Sequence, residues 1–291
     1  MKTARARAVR RVLVLTLIAN IVVVVAKLLA GIRADSLAVL AEAAHSSVDA
    51  LNNVLALALA RVAARAPDTE HPYGHAKFET LGAVGIVAFL SITVFELVRD
   101  AVRRLISGTD LVQPTLGVGV VIAVAAAVSF VVSRYETREG QRLASQLLIA
   151  DAAHTRSDAL AALAVLGGLG MVELGYPRAD PTVTLLVALV IARAGWRILR
   201  TTVPVLVDER AVDERRICAI ALATPGVLGC YDVRSRGREG DVFAELTIAV
   251  DRSLNVEQAH AIADDVERRV AGEVRAREVV AHVEPFHKII R

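Results

Sequence analysis

The chain has 291 residues, of which 55% are hydrophobic, and its mean hydropathy of +0.50 is too high for an ordinary soluble domain. In so apolar a chain, the net charge of +3 indicates basic cytoplasmic loops rather than nucleic-acid binding. The length allows a membrane domain followed by one small soluble domain. Two cysteines, Cys218 and Cys230, provide no disulfide framework, and we expect both to be buried structural thiols.

Six apolar segments are long enough to cross a bilayer, which takes about 20 helical residues each. A basic stretch, MKTARARAVRR, precedes the first of them. We interpret that first segment as a retained span, because it is longer than the apolar part of a signal peptide and lacks a clear small-residue cleavage site. The predicted spans cover residues 12–32, 36–63, 79–101, 114–133, 147–173 and 181–203.

Lysine and arginine are distributed unequally between the two sides that six spans would create. They cluster at the N-terminus, in the second and fourth connections and at the end of the sixth span, which all fall on one side. The other side has Arg33 and Arg178, together with Arg103 and Arg104, which oppose the trend. Since basic loops stay in the cytoplasm, we predict an integral protein of a prokaryotic inner membrane with both termini cytoplasmic.

The character of the sequence changes after residue 206. A helical pattern is followed by two strand-like stretches, an amphipathic helix and a third strand-like stretch, in the order αββαβ. We therefore predict an α-helical membrane protein with a six-helix transmembrane domain over residues 1–206. Residues 207–291 are predicted to form a small cytoplasmic two-layer α/β domain of the ferredoxin-like or metallochaperone-like kind.

Two predicted spans carry the same pair of polar residues. His45 and Asp49 lie four residues apart in the second span, and His154 and Asp158 lie four apart in the fifth. Residues at this spacing share one face of a helix, and ionisable groups inside a span are expensive unless they meet a partner or an ion. Two imidazoles and two carboxylates complete the tetrahedral shell that suits Zn²⁺. The alternative is that each pair only bonds a neighbouring helix.

The connection between the second and third spans is rich in candidate metal ligands. Its sequence, PDTEHPYGHAKFE, contains Asp68, His71 and His75 around a turn with proline and glycine. These three side chains could bind a metal ion, with water or Glu70 as a fourth ligand. The alternative is a polar turn that carries an exposed histidine.

Histidine ligands offer a physical reason for coupling metal to protons. The ordinary pKa of histidine is near 6.5, and a metal ion binds only the neutral imidazole, so metal binding releases protons. A span site that exchanges Zn²⁺ for protons would be an antiporter site. Glu42 and Asp151 each precede a span histidine by three residues, where they could orient it or take up protons. Alternatively, they face solvent or lipid headgroups.

Three stretches carry a family resemblance: SLAVLAEAAHSSVDALNN, HPYGHAKFE and AHTRSDAL. Together with the αββαβ tail, they resemble the cation diffusion facilitator family over nearly the whole chain. The resemblance implies a homodimer that exports divalent transition metals from the cytoplasm and is driven by protons moving inward. It also implies that the protein is not an enzyme. The presence of histidine and aspartate on both helices resembles the pattern of the zinc-preferring branch of the family. Zn²⁺ would then be the transported and the regulatory ion, with no separate cofactor.

The resemblance also implies a metal site between the tails of two protomers. Tyr231 and Thr247 stand where some family members have histidine, so we expect a reduced site rather than a full binuclear one. The alternative is a dimerisation domain with surface histidines. The candidate ligands in the tail are Glu245, His260, His282 and Glu284.

A structural ion pair is implied as well. In the family, a lysine just inside the membrane boundary pairs with an aspartate after the last span, and Lys77 and Asp208 match these positions. Such a pair would tie the membrane domain to the tail. Breaking it would leave one charge without its partner.

Two other classes of function remain open from the residues alone. A membrane metallohydrolase would need an open coordination position and a general base, and the sequence has no H-E-x-x-H run. A membrane-anchored metal sensor or scaffold would bind metal in its tail without transport. For an exporter, Fe²⁺, Mn²⁺, Co²⁺ and Cd²⁺ are alternatives to Zn²⁺, because geometry and availability set selectivity more than affinity does.

Overall fold

The structure is a computed structural model that describes residues 2–33, 37–107, 116–173, 176, 179–238 and 241–287. The chain divides into two compact units, Met1–Thr202 and Val203–Arg291. Each unit has its own packed core.

Six long helices form the first unit, and each overlaps one of the predicted spans. Among the described residues, α1, α3, α4 and α6 are long and apolar enough to cross a membrane by length and composition. The other two helices, α2 and α5, carry the predicted histidine–aspartate pairs, and such charged residues lower the hydropathy of the segments that contain them. Their role as spans therefore stays a prediction. The helices are α1 (Lys2–Arg33), α2 (Leu37–Ala63), α3 (Lys77–Ser107), α4 (Leu116–Arg142), α5 (Gln146–Glu173) and α6 (Ala179–Leu206).

Polar contacts between α1 and α2 show that neighbouring helices run antiparallel. Asn20 donates a hydrogen bond to Asn53 at 2.5 Å, and farther along α1 the Lys27 ammonium donates to Ser46 at 2.8 Å. Moving along α1 toward its C-terminus thus means moving along α2 toward its N-terminus, so these two helices are antiparallel. We call the end of the bundle at which α1 begins the N-terminal end.

A partly buried ion pair closes the N-terminal end. The Arg5 guanidinium donates to both carboxylate oxygens of Glu79 at 3.1 Å each and to the carbonyl groups of Leu143 and Ala144. Ser145 donates to the same carboxylate at 2.6 Å. This Arg5–Glu79 clamp joins α1, α3 and the turn between α4 and α5. An aliphatic core adjoins it, including Val9, Leu13, Leu57, Ala83, Ile86, Leu147 and Leu148.

A second ion pair lies at the opposite end of the bundle. Arg104, near the end of α3, donates to Asp180 at the start of α6 at 2.7 Å, and Asp180 is 1% exposed. The Arg104 charge, which opposed the trend in the loops, is therefore compensated within the protein. Between the two ends, Gly195 brings α6 against α3, since a Cβ there would lie 3.3 Å from the Leu90 side chain.

The second unit has the predicted αββαβ order. It contains α7 (Glu214–Leu222), β1 (Val227–Arg238), β2 (Asp241–Val250), α8 (Val256–Val274) and β3 (Ala276–Pro285). The sheet order is β1-β2-β3, with β1 and β2 antiparallel and β2 and β3 parallel. Both helices begin at side-chain caps, since Asp213 accepts from the Arg215 N–H and Asn255 forms a capping box with Gln258.

One face of this sheet packs on the two helices. Alternate residues of β2, among them Leu246 and Ile248, share a core with Ile217 of α7 and with Val266 and Val270 of α8. Since side chains alternate along a strand, the residues between them, such as Glu245 and Thr247, belong to the other face. The predicted ligands on β2 and β3 belong to that second face.

The prediction of two buried thiols in the second unit is wrong. Cys218 of α7 and Cys230 of β1 form a disulfide, with their Cα atoms 5.5 Å apart. The cause is tertiary, because Cys230 pairs in register with Ile248, a core residue on the helix-covered side of the sheet. A separation of 12 residues with no repeated cysteine pattern gave no sign of this bond.

We expect Glu79→Ala to destabilise the first unit by about 1–3 kcal/mol, because it removes the partner of a partly buried guanidinium. The side chain of Arg5 is 34% exposed, so water can replace part of the lost interaction. The thermal midpoint in detergent would measure the effect. Asp100→Ala is the matched control, since Asp100 is an exposed acid on the same helix. An equal midpoint for the two variants would contradict a clamping role.

Candidate metal centre

Three predicted ligands converge between α2 and α5. The His154 Nε2 atom lies 3.4 Å from a carboxylate oxygen of Asp49 and 3.9 Å from one of Asp158. One ligand atom from each lies within 4.8 Å of those of the other two. Ligand atoms of a tetrahedral zinc site are separated by about 3.3 Å, given bonds of about 2.0–2.1 Å. The three donors are thus nearly close enough to share one ion.

The imidazole of His154 is held with its Nε2 atom toward the carboxylates. The residue is 5% exposed, and Asn52 Nδ2 lies 3.4 Å from the same nitrogen. The other nitrogen, Nδ1, is buried and has no hydrogen-bond partner among the described residues. Because of this orientation, the nitrogen that faces Asp49 and Asp158 is the one available to a cation.

The fourth predicted ligand, His45, is on α2, but its side chain lies outside the described residues, as does that of Glu42. The helix places His45 one turn before Asp49. Its participation in the centre therefore stays a prediction.

A cavity of about 190 Å³ adjoins the three ligands. Its wall includes Lys27 of α1, Ile122 of α4 and Val165 of α5, which lie farther from the N-terminal end than the ligands do. The half of the bundle nearer the N-terminal end is filled by the aliphatic core and closed by the Arg5–Glu79 clamp. The ligands thus face a cavity on one side and packed helices on the other.

A second polar group, which sequence reasoning found only in part, lies behind the cavity wall. Asp151 accepts two hydrogen bonds from the Asn53 amide at 3.0 and 3.1 Å, and Thr155 lies 3.5 Å from Glu136. Asp151 and Glu136 are both 0% exposed, so Asp151 does not face solvent or headgroups. Glu136 was missed because the predicted fourth span ended at residue 133, whereas α4 continues to Arg142.

The loop ligands also converge. Asp68 is 3.2 Å from the ring of His71 and 3.3 Å from that of His75, and all three have ligand atoms within 4.8 Å of one another. His75 is 3% exposed, and its Nδ1 atom lies 3.1 Å from the Ala66 carbonyl, which leaves Nε2 toward Asp68. Gly74 has a φ of 86°, a left-handed conformation that favours glycine in this turn.

The electrostatics of the loop favour an ionised carboxylate. The backbone N–H of His71 donates to Asp68 at 2.7 Å and, with smaller contributions from the two histidine rings, lowers the pKa of that carboxyl below its ordinary value. Asp68 is therefore a charged acceptor at neutral pH. One carboxylate and two imidazoles form a donor set that suits a transition-metal ion.

The predicted tail ligands do not gather in one chain. His260 lies 3.7 Å from Asp264 on its own helix, and His282 lies 3.7 Å from Glu284 on β3. Tyr231 donates to Glu284 at 2.5 Å. Of the described residues, only the Asp49 and Asp68 groups bring three metal donors together, so no such group is described in the tail.

Glu245 has basic neighbours rather than histidines. It pairs in register with Arg234, and both line a cavity with Arg210, Arg236 and Asp208. Asp208 lies 3.7 Å from Arg236 within the second unit. The predicted pairing of Asp208 with Lys77 would join the two units and stays a prediction.

Comparison with known proteins identifies the chain. Residues 13–207 match the cation efflux transmembrane domain, and residues 210–286 match the cytoplasmic domain of cation efflux proteins. The chain belongs to the cation efflux family. It is therefore an integral membrane transporter rather than an enzyme, and a divalent metal ion is its substrate.

Relatives support this over most of the chain. An uncharacterized transporter of Methanocaldococcus jannaschii is 30% identical, with 96% of this chain and 99% of the relative covered. The cation-efflux pump FieF of Shigella boydii is 30% identical over 91% of this chain and 89% of its own. Metal tolerance protein C1 of Arabidopsis thaliana is 34% identical over 93% of this chain but only 61% of its own. A solved structure of MamM-CTD is 34% identical in sequence. The match covers 25% of this chain and 92% of the MamM-CTD chain, with a TM-score of 0.24.

We expect the loop group to bind Zn²⁺ independently of the span residues. In a protein with Asp49→Ala and Asp158→Ala, adding His71→Ala and His75→Ala should remove about one equivalent of bound Zn²⁺, because only Asp68 would remain of three donors. Equilibrium dialysis in detergent measures the count. His287→Ala is the matched control, since His287 lies outside both groups. An unchanged count would mean that the loop is only a polar turn.

Proposed function

We propose that the chain exports a divalent transition metal, with Zn²⁺ preferred, in exchange for protons. The observation that carries this proposal is the convergence of Asp49, His154 and Asp158 at a cavity within the helix bundle. Nitrogen and oxygen donors in this number suit Zn²⁺, and the two carboxylates compensate its charge. With His45 as the fourth ligand, protein side chains would fill a tetrahedral shell.

The direction of transport follows from the proposed orientation. With both termini in the cytoplasm, the N-terminal end of the bundle is the cytoplasmic end. The Arg5–Glu79 clamp and the aliphatic core would then close the cytoplasmic side, while the cavity would serve the opposite side. Loading from the cytoplasm requires this packed half to open, and export requires it to close again.

Proton coupling rests on the imidazole ligands. A metal ion binds neutral imidazole, whereas a proton occupies the same lone pair, so the two compete for His154. A carrier that returns with protons instead of metal avoids leaving two carboxylates without a cation in a membrane. An inward proton gradient would therefore drive metal outward.

The tail is proposed to hold two copies of the chain together and to sense metal. His260 is on a helix, whereas His282 and Glu284 are on a strand, and within one chain they form no group of three donors. A metal ion would therefore need to collect them from two protomers. Because such an ion binds only the closed dimer, it would favour that state by mass action.

We expect Asp49→Ala and Asp158→Ala each to lower the rate of Zn²⁺ transport by about 100-fold or more, because either substitution removes a charge that offsets the dication. The measurement is Zn²⁺ uptake into proteoliposomes with and without a pH gradient, compared metal by metal. Arg156→Ala is the matched control, since Arg156 is an exposed ionisable residue between two ligands on the same helix. Near-normal flux in either aspartate variant would refute the site, and metal binding without any flux would favour a sensor.

We expect Zn²⁺ to shorten the distance between spin labels on the two tails of a dimer, since one ion would connect a helix and a strand across protomers. Pulsed electron paramagnetic resonance measures this distance. His260→Ala with His282→Ala should remove the response, whereas His287→Ala, in an exposed residue after β3, should retain it. If all three proteins respond alike, the tail is only a dimerisation domain.

A further inference from the structure

A pair of carboxyl groups is buried beside the metal centre without belonging to it. Glu136 of α4 and Asp151 of α5 are each 0% exposed and lie side by side. We call them the carboxyl pair. Burial and a neighbouring like charge both disfavour ionisation, so two adjacent carboxyl groups in this setting keep a proton on one of them. The carboxyl pair therefore holds a proton in this geometry.

The surrounding hydrogen bonds indicate which member holds the proton. Both oxygens of Asp151 accept from the Asn53 amide, at 3.0 and 3.1 Å, as expected of an ionised carboxylate. Glu136 Oε1 is buried and accepts no hydrogen bond from the residues that the structure describes, which fits an oxygen that carries hydrogen. The hydrogen bonds therefore favour the ionised form at Asp151 and the protonated form at Glu136.

Neutral side chains form most of the environment of Glu136. Thr16 of α1 and Thr155 of α5 contact it, and Asn53 of α2 contacts its partner Asp151. The titratable group that faces Asp151 is His154, one helical turn farther along α5. Within the described part of the bundle, neither carboxyl group has a lysine or arginine partner, so a proton is the cation that neutralises them.

The carboxyl pair lies between the cavity and the packed half of the bundle. Asn53 and Thr155 line the cavity. Each of them also contacts one member of the carboxyl pair, which lies on the far side of this lining. Along α5, Asp151 precedes Asp158 by seven residues, a rise of about 10 Å toward the N-terminal end. A proton can reach Glu136 from the cavity side through the Thr155 hydroxyl, and can leave toward the N-terminal end when that half opens.

We propose that Glu136, paired with Asp151, carries one of the protons that are exchanged for the metal ion, an inference that rests on the antiport proposed above. A dication at the neighbouring ligands stabilises the ionised pair electrostatically, because the interaction is strong where water is scarce. Metal binding then breaks the Glu136 O–H bond and transfers its proton to water, with no change of oxidation state. When the metal ion leaves, a proton from the cavity side restores the neutral form.

Proton and metal fluxes recorded together in proteoliposomes test this role. Glu136→Gln is nearly isosteric and keeps a donor toward Asp151, but it cannot release a proton. We expect it to lower the ratio of protons to Zn²⁺ by about one, because one titrating group is lost. Glu139→Gln is the matched control, one turn away on the same helix and paired with Arg142, and should retain the ratio of the unaltered protein.

Calorimetry separates proton release from transport. Zn²⁺ binding is measured in two buffers with different ionisation enthalpies, which counts the protons released even if Glu136→Gln does not transport. The unaltered protein should release about one proton more than the variant, with Zn²⁺ affinity changed less than about tenfold. Equal counts, or an equal flux ratio, would overturn the role of Glu136. If the unaltered protein moved Zn²⁺ without protons, the antiport itself would fail, and this inference with it.

Discussion

A charge inside an apolar helix bundle needs a compensating partner close by, since an isolated ion there is far more costly than in water. The first unit meets this requirement at three levels. Each end of the bundle has one ion pair in which the two charges compensate each other. These pairs are Arg5–Glu79 and Arg104–Asp180. Between them, Asp49 and Asp158 lie beside one histidine at a cavity, where a mobile cation can offset their charge.

This requirement also explains why α2 and α5 differ from the other four helices. Two ionisable residues of α5 that face the bundle interior are sheltered by neighbours rather than exposed to lipid, since Asp151 is 0% exposed and His154 is 5% exposed. A span that contacts other helices on several sides tolerates lower hydropathy than one that faces lipid. The ligand-bearing helices α2 and α5 accordingly pack, between them, against α1, α3 and α4.

Sequence reasoning predicted the placement of side chains where one helix, strand or loop contains the whole signal. The four-residue spacing of His154 and Asp158, the αββαβ order and the close grouping of Asp68, His71 and His75 are local patterns. It missed two contacts that depend on how neighbouring elements pack. The disulfide between Cys218 and Cys230 depends on how α7 packs on β1, and the partnership of Glu136 with Asp151 depends on how α4 packs on α5. Neither contact leaves a periodicity in the chain.

Compensation by a mobile cation leads naturally to exchange. If the metal ion left Asp49 and Asp158 with nothing in its place, two negative charges would remain in the bundle, and the change of conformation that returns the carrier would be opposed by their desolvation. In the proposed antiport, protons on an imidazole and on Glu136 would remove that obstacle, because they would neutralise charge at two depths of the bundle. The same residues that make the centre attractive to a dication would therefore make a return without a substitute cation unfavourable, which would be the physical basis of the proposed coupling.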